Sequence, residues 1–442
     1  MNDSRIQYTM KHSHSLRTAT LWLTGAMLLL RCIGLLYQII LAKLFTASQL
    51  GQLELFMAVY GFATTLAVSG IRLSSTRLVI IGATRGCTPH LVLRKIMLCS
   101  LLFGLFAMGF LLLLSPIAAT HWLNNAMLTR PLQILAFCLP FLSVESCFGG
   151  YFTAIGKATR FTVIQVPQQL ISLPISLFLL HKTIPLGLYA SCMALAFNLL
   201  FSEILGLVLI LIFRPKAPSV TTAAPHISFL EFFRIALPDA GSSWLRSALI
   251  AAKNLMIPRG LRQFSGDAES ALSTYGTIQS MTFPVLTFPS VLVNAFNIQI
   301  LPEISRYHET GQRQPLKRMV QKNCRTVLSY SLVCAAVIFL SADWLGGTLY
   351  PGTKTAFYLR WLAPLIPLMY LDTTVDTFLR GMGLQVSSMF YNIIDAAVCL
   401  SMVLVLLPRI GLPGYLMVLY TSELLNLFLS LHKLQDVLTS HT

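Results

Sequence analysis

Charge is what this sequence has least of. Lys, Arg, Asp and Glu make up 11% of its 442 residues, against about 25% in a soluble globular chain. Hydrophobic residues make up 55%, and the mean hydropathy is +0.71. That balance excludes a soluble enzyme. Acids are scarcer than bases, 16 against 32, which leaves a formal charge of +16. In a soluble domain such an excess would point to nucleic acid; in an apolar chain the asymmetry of membrane loops is the first explanation to test. Paired cysteines are missing as well. The nine Cys stand singly with no CxxC, so neither a disulfide framework nor a zinc site is indicated. Long linkers are also lacking. The two longest, around 215–228 and 305–322, are too short to fold a catalytic domain.

What the chain has is apolar runs long enough to cross a hydrocarbon core of about 30 Å as helices. Twelve are read, at 18–43, 50–71, 91–114, 131–154, 160–180, 184–213, 231–257, 271–301, 323–342, 356–380, 385–407 and 412–431. The first is too long for a signal-peptide core and has no small-residue cleavage site, so it is read as a retained span. This is an all-α integral membrane protein. Its expected parts are an N-terminal tail (1–17), a first lobe of six helices (18–213), a linker (214–230), a second lobe (231–431) and a C-terminal tail (432–442).

Lys and Arg set the orientation. With the N-terminus inside, 21 of the 32 fall on the inner side, eight on the outer, and three in no loop. The positive-inside rule therefore places both termini in the cytoplasm, in a bacterial inner membrane. The bases explained by topology call for no nucleic acid or acidic protein partner.

The three left over are Arg31, Arg246 and Lys253. A base at the centre of a span costs roughly 2.5–3.5 kcal/mol on insertion scales, so such residues face a bundle interior or a watery cavity. Arg246 and Lys253 are seven apart and share one helix face. An offset of 215 pairs Arg31 with Arg246, Tyr60-Gly61 with Tyr275-Gly276 and Gln38 with Lys253. The offset marks the two halves as copies with the same topology. Arg31, Arg246, Lys253 and Gln38 would then form a cationic chamber suited to a pyrophosphate, Arg supplying forked hydrogen bonds. The competing reading neutralises each base with an intramembrane acid.

Among the acids, Asp372 and Asp395 lie deepest and are candidates for Na⁺ or H⁺ coupling or for pairing with the bases. Asp376 and Arg380, four apart, read as a surface pair, and Glu145 and Glu203 as partners in helix-to-helix hydrogen bonds. The Pro pairs 167/174, 284/289 and 364/367 should bend the fifth, eighth and tenth helices, and Tyr-Gly at 60 and 275 should serve close helix packing. No resident cofactor or metal is expected.

RCIGLLYQIILAKLF (31–45), QLGQLELFMAVYGFATTLAVSGIRLSSTRLV (49–79), GGYFTAIGKATRFTVIQVPQQ (149–169), RIALP (234–238) and LSTYGTIQSMTFPVLTFPSVLVNAFNIQILPEISR (272–306) carry a resemblance. In that order they resemble the MOP flippase superfamily (multidrug, oligosaccharidyl-lipid and polysaccharide), within it the polysaccharide exporters like stage V sporulation protein B. The resemblance runs from about 18 to 431. It implies two six-helix lobes around a central cavity that opens alternately to each side, and a lipid-linked oligosaccharide such as the peptidoglycan precursor lipid II as substrate. That branch usually carries two helices beyond the twelfth, whereas this chain ends at Thr442. It often has an acid where this seventh helix has Lys253-Asn254.

The expected function is thus a flippase that carries a polyprenyl-pyrophosphate-linked saccharide from the inner to the outer leaflet. Beside it stand a Na⁺- or H⁺-coupled multidrug extruder, which calls for an acid-lined cavity, and a non-transporting paralogue. An intramembrane glycosyltransferase is disfavoured, because no paired acids come with long loops to receive a sugar donor.

Overall fold

The computed structural model describes residue 25, residues 29–30, and residues 32–84, 89–213 and 229–439. Every element among them is helical. In chain order they are α1 (Cys32–Leu44), α2 (Ala47–Val68), α3 (Ile71–Thr84), α4 (Pro89–Ile117), α5 (Thr129–Ala136), α6 (Cys138–Ala154), α7 (Ala158–Thr183), α8 (Leu188–Phe213) and α9 (Phe229–Ser265). Then come α10 (Ala268–Gly276), α11 (Phe283–Thr287), α12 (Ser290–Glu309), α13 (Arg313–Leu340), α14 (Ala342–Leu349), α15 (Thr355–Leu362), α16 (Ile366–Gly381), α17 (Gln385–Ile410) and α18 (Leu412–Thr439).

Eight helical stretches among the described residues are long and apolar enough to cross a membrane, and a ninth span is formed if α10–α11 and α12 count as one bent pair. The remaining three expected runs are helical where described, as α1, as α9 and as the pair α15 and α16. The outward surface suits lipid. Leu113, Leu340 and Val386 are 79%, 81% and 73% exposed, a display that water would penalise and hydrocarbon does not.

Two expected ends need correction. The basic stretch 305–322 is not a loop, because α12 runs to Glu309 and α13 starts at Arg313, with Gly311 at φ +67° in the turn between them. The segment 432–439, expected as tail, continues α18. Lys, Arg and Gln are good helix formers whose heads reach the interface while their stems stay apolar, so hydropathy ends before the helix does.

Of the three Pro pairs, two interrupt their helices. Pro284 and Pro289 accompany a 53° bend between α11 and α12. Pro364 sits in a 3₁₀ turn between α15 and α16. Pro167 and Pro174 lie inside the single helix α7. A backbone opened at a bend inside a membrane needs other donors. Here Tyr370 of α16 donates to the Leu286 carbonyl at 2.8 Å, and Tyr330 of α13 donates to the Pro289 carbonyl at 3.0 Å.

By compactness the chain forms two units. The first holds the described residues up to Leu30 and Phe56–Ser247; the second holds 32–55 and those from Ala248 onward. This division differs from the expected lobes 18–213 and 231–431, for it cuts α2 after Leu55 and α9 after Ser247. The boundary after Leu30 and the one after Ser247 are related within about two residues by the 215 offset.

The first unit centres on α3, α4, α6 and the start of α9, with Ile71, Ile96, Phe148, Phe152 and Phe232 buried. Phe103 meets Phe232 edge-on at 6.0 Å, and Gly104 lets α4 and α6 touch, since a Cβ there would stand 2.6 Å from the Pro140 Cα. The second unit buries Ile304, Leu316, Val375, Phe378 and Leu379. Its tightest crossing is Gly51 of α2 against Gly276 of α10, where added Cβ atoms would stand 2.2 Å from the Leu272 carbonyl oxygen and 2.1 Å from that of Ala47. Tyr-Gly at 275 therefore serves close packing as expected. Its repeat partner does not, for nothing lies within 4 Å of where a Gly61 Cβ would be.

Candidate functional site

In the second unit, four helices bring a base and three acids together. Lys253 of α9, Asp372 of α16, Asp395 of α17 and Glu423 of α18 are all partly buried. Glu423 lies close enough to Asp372, Asp395 and Lys253 to feel the charge of each. Asp372 in turn faces Asp395, Asp376 and Arg380.

The two aspartates are held from a neighbouring turn or helix. Asn426 donates to Asp372 Oδ2 at 2.9 Å, and Ser422 donates to Asp395 Oδ2 at 3.0 Å. The Cys399 thiol donates to Asp395 Oδ1 at 3.3 Å. Ser422 and Asn426 are four apart on α18, so one face of that helix meets both aspartates. The other oxygen of Asp372 is buried with no hydrogen-bond partner among the described residues. Three carboxyl groups thus share one region with a single base, Lys253. No set of three His, Cys, Asp or Glu side chains among the described residues is arranged to hold a metal ion.

The predicted cations divide. Lys253 belongs to this acidic group. Arg246 lies in the first unit, exposed on α9, and forms no ion pair among the described residues. Gln38 is exposed on α1. Arg31 lies outside the described residues. Asp376 pairs with Arg380 as the spacing predicts, and Ser388 also donates to Asp376. Asp372 and Asp395 both belong to this acidic group. Glu423, Ser422 and Asn426 are the members that sequence reasoning left unassigned; the 422/426 spacing of polar residues in an otherwise apolar helix is the signal that marks them.

The other buried acids are arranged differently from expectation. Glu145 of α6 and Glu203 of α8 face each other in the first unit. Glu145 Oε1 and Glu203 Oε2 have no hydrogen-bond partner among the described residues. The helix-to-helix bond is made instead by Gln168 of α7, which donates to the Ser202 carbonyl at 3.0 Å. Gly206 makes room, for a Cβ there would stand 2.0 Å from Glu145 Oε1.

Residues 16–308, more than half of the chain, match the family described as polysaccharide biosynthesis protein. The chain belongs to that family. It is 21% identical over 427 residues to stage V sporulation protein B of Bacillus subtilis (strain 168), covering 92% of this chain and 81% of that one.

Solved transporters share its fold. An inward-facing multidrug resistance MATE family transporter of the MOP superfamily superposes with a TM-score of 0.70 at 13% identity, over 93% of this chain and 95% of that one. The outward-facing conformation of such a transporter gives 0.64 at 14%, over 96% and 97%. A MOP superfamily transporter from Pyrococcus furiosus, described by the reversed polarity of its binding pocket, gives 0.62 at 13%, over 96% of both chains. This member of the polysaccharide biosynthesis family is therefore an all-helical, multi-pass membrane protein with the fold of these transporters.

Proposed function

We propose that the protein is a flippase that moves a polyprenyl-pyrophosphate-linked saccharide, of the lipid II type, from the inner to the outer leaflet of a bacterial cytoplasmic membrane by alternating access. Arg246 carries the reading. It is a permanently charged side chain in the middle of α9, with no ion pair among the described residues, and Arg is the side chain best matched to the forked oxygens of a phosphate. Arg31 is its repeat partner, and Gln38 and Lys253 complete the set. Membership in a polysaccharide biosynthesis family supports a saccharide cargo, and the likeness to stage V sporulation protein B supports a cell-wall precursor.

Lys253 has two suitors. Facing the pyrophosphate it adds a cation to the chamber; facing Glu423, with Asp372 and Asp395 beside it, it offsets the acids. Substrate that draws Lys253 away leaves the acids to take up H⁺ or Na⁺, so headgroup binding and ion binding are linked through one side chain. An elementary charge crossing the field gains or loses about 2.3 kcal/mol per 100 mV. Outward passage of a dianion is therefore favoured by an inside-negative potential. In proteoliposomes carrying a fluorescent polyprenyl pyrophosphate, an imposed inside-negative potential should speed appearance of the headgroup outside. Flipping that ignores the potential removes the electrogenic step, and efflux of cationic drugs without lipid flipping would favour the multidrug extruder.

A further inference from the structure

The second unit also carries a groove of about 1010 Å³ between α13, α16 and α18, whose lining includes none of the acids. One wall is charged. Arg318, Lys322 and Arg325 line it from α13, and spacings of four and three place them on one helix face. All three are exposed, and none forms an ion pair among the described residues. The other wall is apolar: Leu371 and Val375 of α16, Leu427 and Leu431 of α18.

The nearby acids are engaged elsewhere. Asp376 pairs with Arg380, Asp436 lies 3.8 Å from His432, and Asp372 accepts from Asn426. Three cations within about 11 Å of helix axis repel one another, and no acid among the described residues pairs with them. Deeper along α13, Leu332 and Val333 are 52% and 62% exposed, so this helix side faces hydrocarbon. The groove thus combines a cationic head region with an apolar floor at the depth where a spanning helix passes from headgroups to chains.

We propose that the groove binds one anionic phospholipid from the bilayer. Its phosphate is held by Arg318, Lys322 and Arg325, and one of its hydrocarbon chains lies on Leu371, Val375, Leu427 and Leu431. Phosphate geometry suits the two forked guanidiniums, and an attractive anion removes the repulsion along α13. The Lys and Arg count places the site at the cytoplasmic leaflet. Binding itself does not depend on that orientation or on what the protein transports.

The test is native mass spectrometry of the purified full-length protein titrated with phosphatidylglycerol, with phosphatidylcholine of the same chains as control. One retained phosphatidylglycerol is expected, with phosphatidylcholine bound at least tenfold more weakly, and millimolar inorganic phosphate should not displace it because it has no chain for the floor. The R318Q/K322Q/R325Q variant should lose binding on the order of a hundredfold, as removal of three headgroup-level charges implies, while R318K/R325K retains most of it. Leu431→Trp, which fills the floor and spares the cations, should weaken binding as well. Equal retention of the two lipids by the wild type overturns the proposal, as does displacement by inorganic phosphate or full retention by the triple variant. The wild-type comparison decides the matter even if a variant fails to fold.

Discussion

Gly276→Ala puts the packing account at risk in a single methyl group. The added Cβ would lie 2.1 Å from the Ala47 carbonyl oxygen, 2.6 Å from the Gly51 nitrogen and 3.0 Å from the Gly51 Cα. All three are backbone atoms of α2 that no rotamer change can move. Restoring ordinary contact requires α2 and α10 to part by roughly 1 Å, and forced overpacking of this kind costs about 1–3 kcal/mol. Just beyond the crossing, Ser280 donates to Glu54 Oε1 at 2.8 Å. Stretching that bond by the same amount gives up about 1.5 kcal/mol, since the acceptor is an acid. Replacing Gly by Ala within a helix returns about 1 kcal/mol. The net expectation is a loss of about 2–3 kcal/mol. Gly61→Ala is the matched control, because the repeat pairs it with Gly276 while nothing lies within 4 Å of its Cβ position; it keeps only the propensity gain. Equilibrium unfolding of both variants in mixed micelles, followed by tryptophan fluorescence, measures the difference. A Gly276→Ala protein as stable as Gly61→Ala would refute the reasoning.

Two further outcomes follow from particular contacts. Tyr370→Phe removes the donor to the buried Leu286 carbonyl at the bend and should cost about 1–3 kcal/mol in the same unfolding assay, with no change in lipid binding. Asp395→Asn removes a charge from the acidic group while an amide oxygen can still accept from Ser422. It should weaken the dependence of flipping on a pH or Na⁺ gradient by on the order of tenfold, with headgroup affinity kept, and reconstituted transport under imposed gradients separates the two effects.

The spans were legible because hydrocarbon imposes one simple demand, a long apolar helix, and each of the twelve runs is helical where described. Helix ends were less legible. Between 305 and 322 the polar stretch is helical on both sides of a three-residue turn at 310–312, so α13 carries its bases on an ordered helix instead of a loop. The proline pairs show that a bend depends on more than the proline: α7 absorbs Pro167 and Pro174, whereas the opening at Pro289 has tyrosines on two neighbouring helices to receive its carbonyls. At the acidic group, depth in an apolar run was enough to single out Asp372 and Asp395. That Glu423 joins them is a tertiary fact, set by how α16, α17 and α18 pack. The repeat likewise matched Gly61 to Gly276 by spacing alone, although only the second meets another backbone.

The central claim is that Arg31 and Arg246 hold a pyrophosphate. It is tested most directly by the affinity of purified protein for a polyprenyl pyrophosphate, measured for the wild type, Arg31→Ala and Arg246→Ala. A charge-assisted bond is worth about 1.5–3 kcal/mol, so each variant should bind roughly ten- to a hundredfold more weakly, and the corresponding polyprenol, which lacks the phosphates, should bind all three alike. Equal affinity of the three proteins for the pyrophosphate would contradict the account.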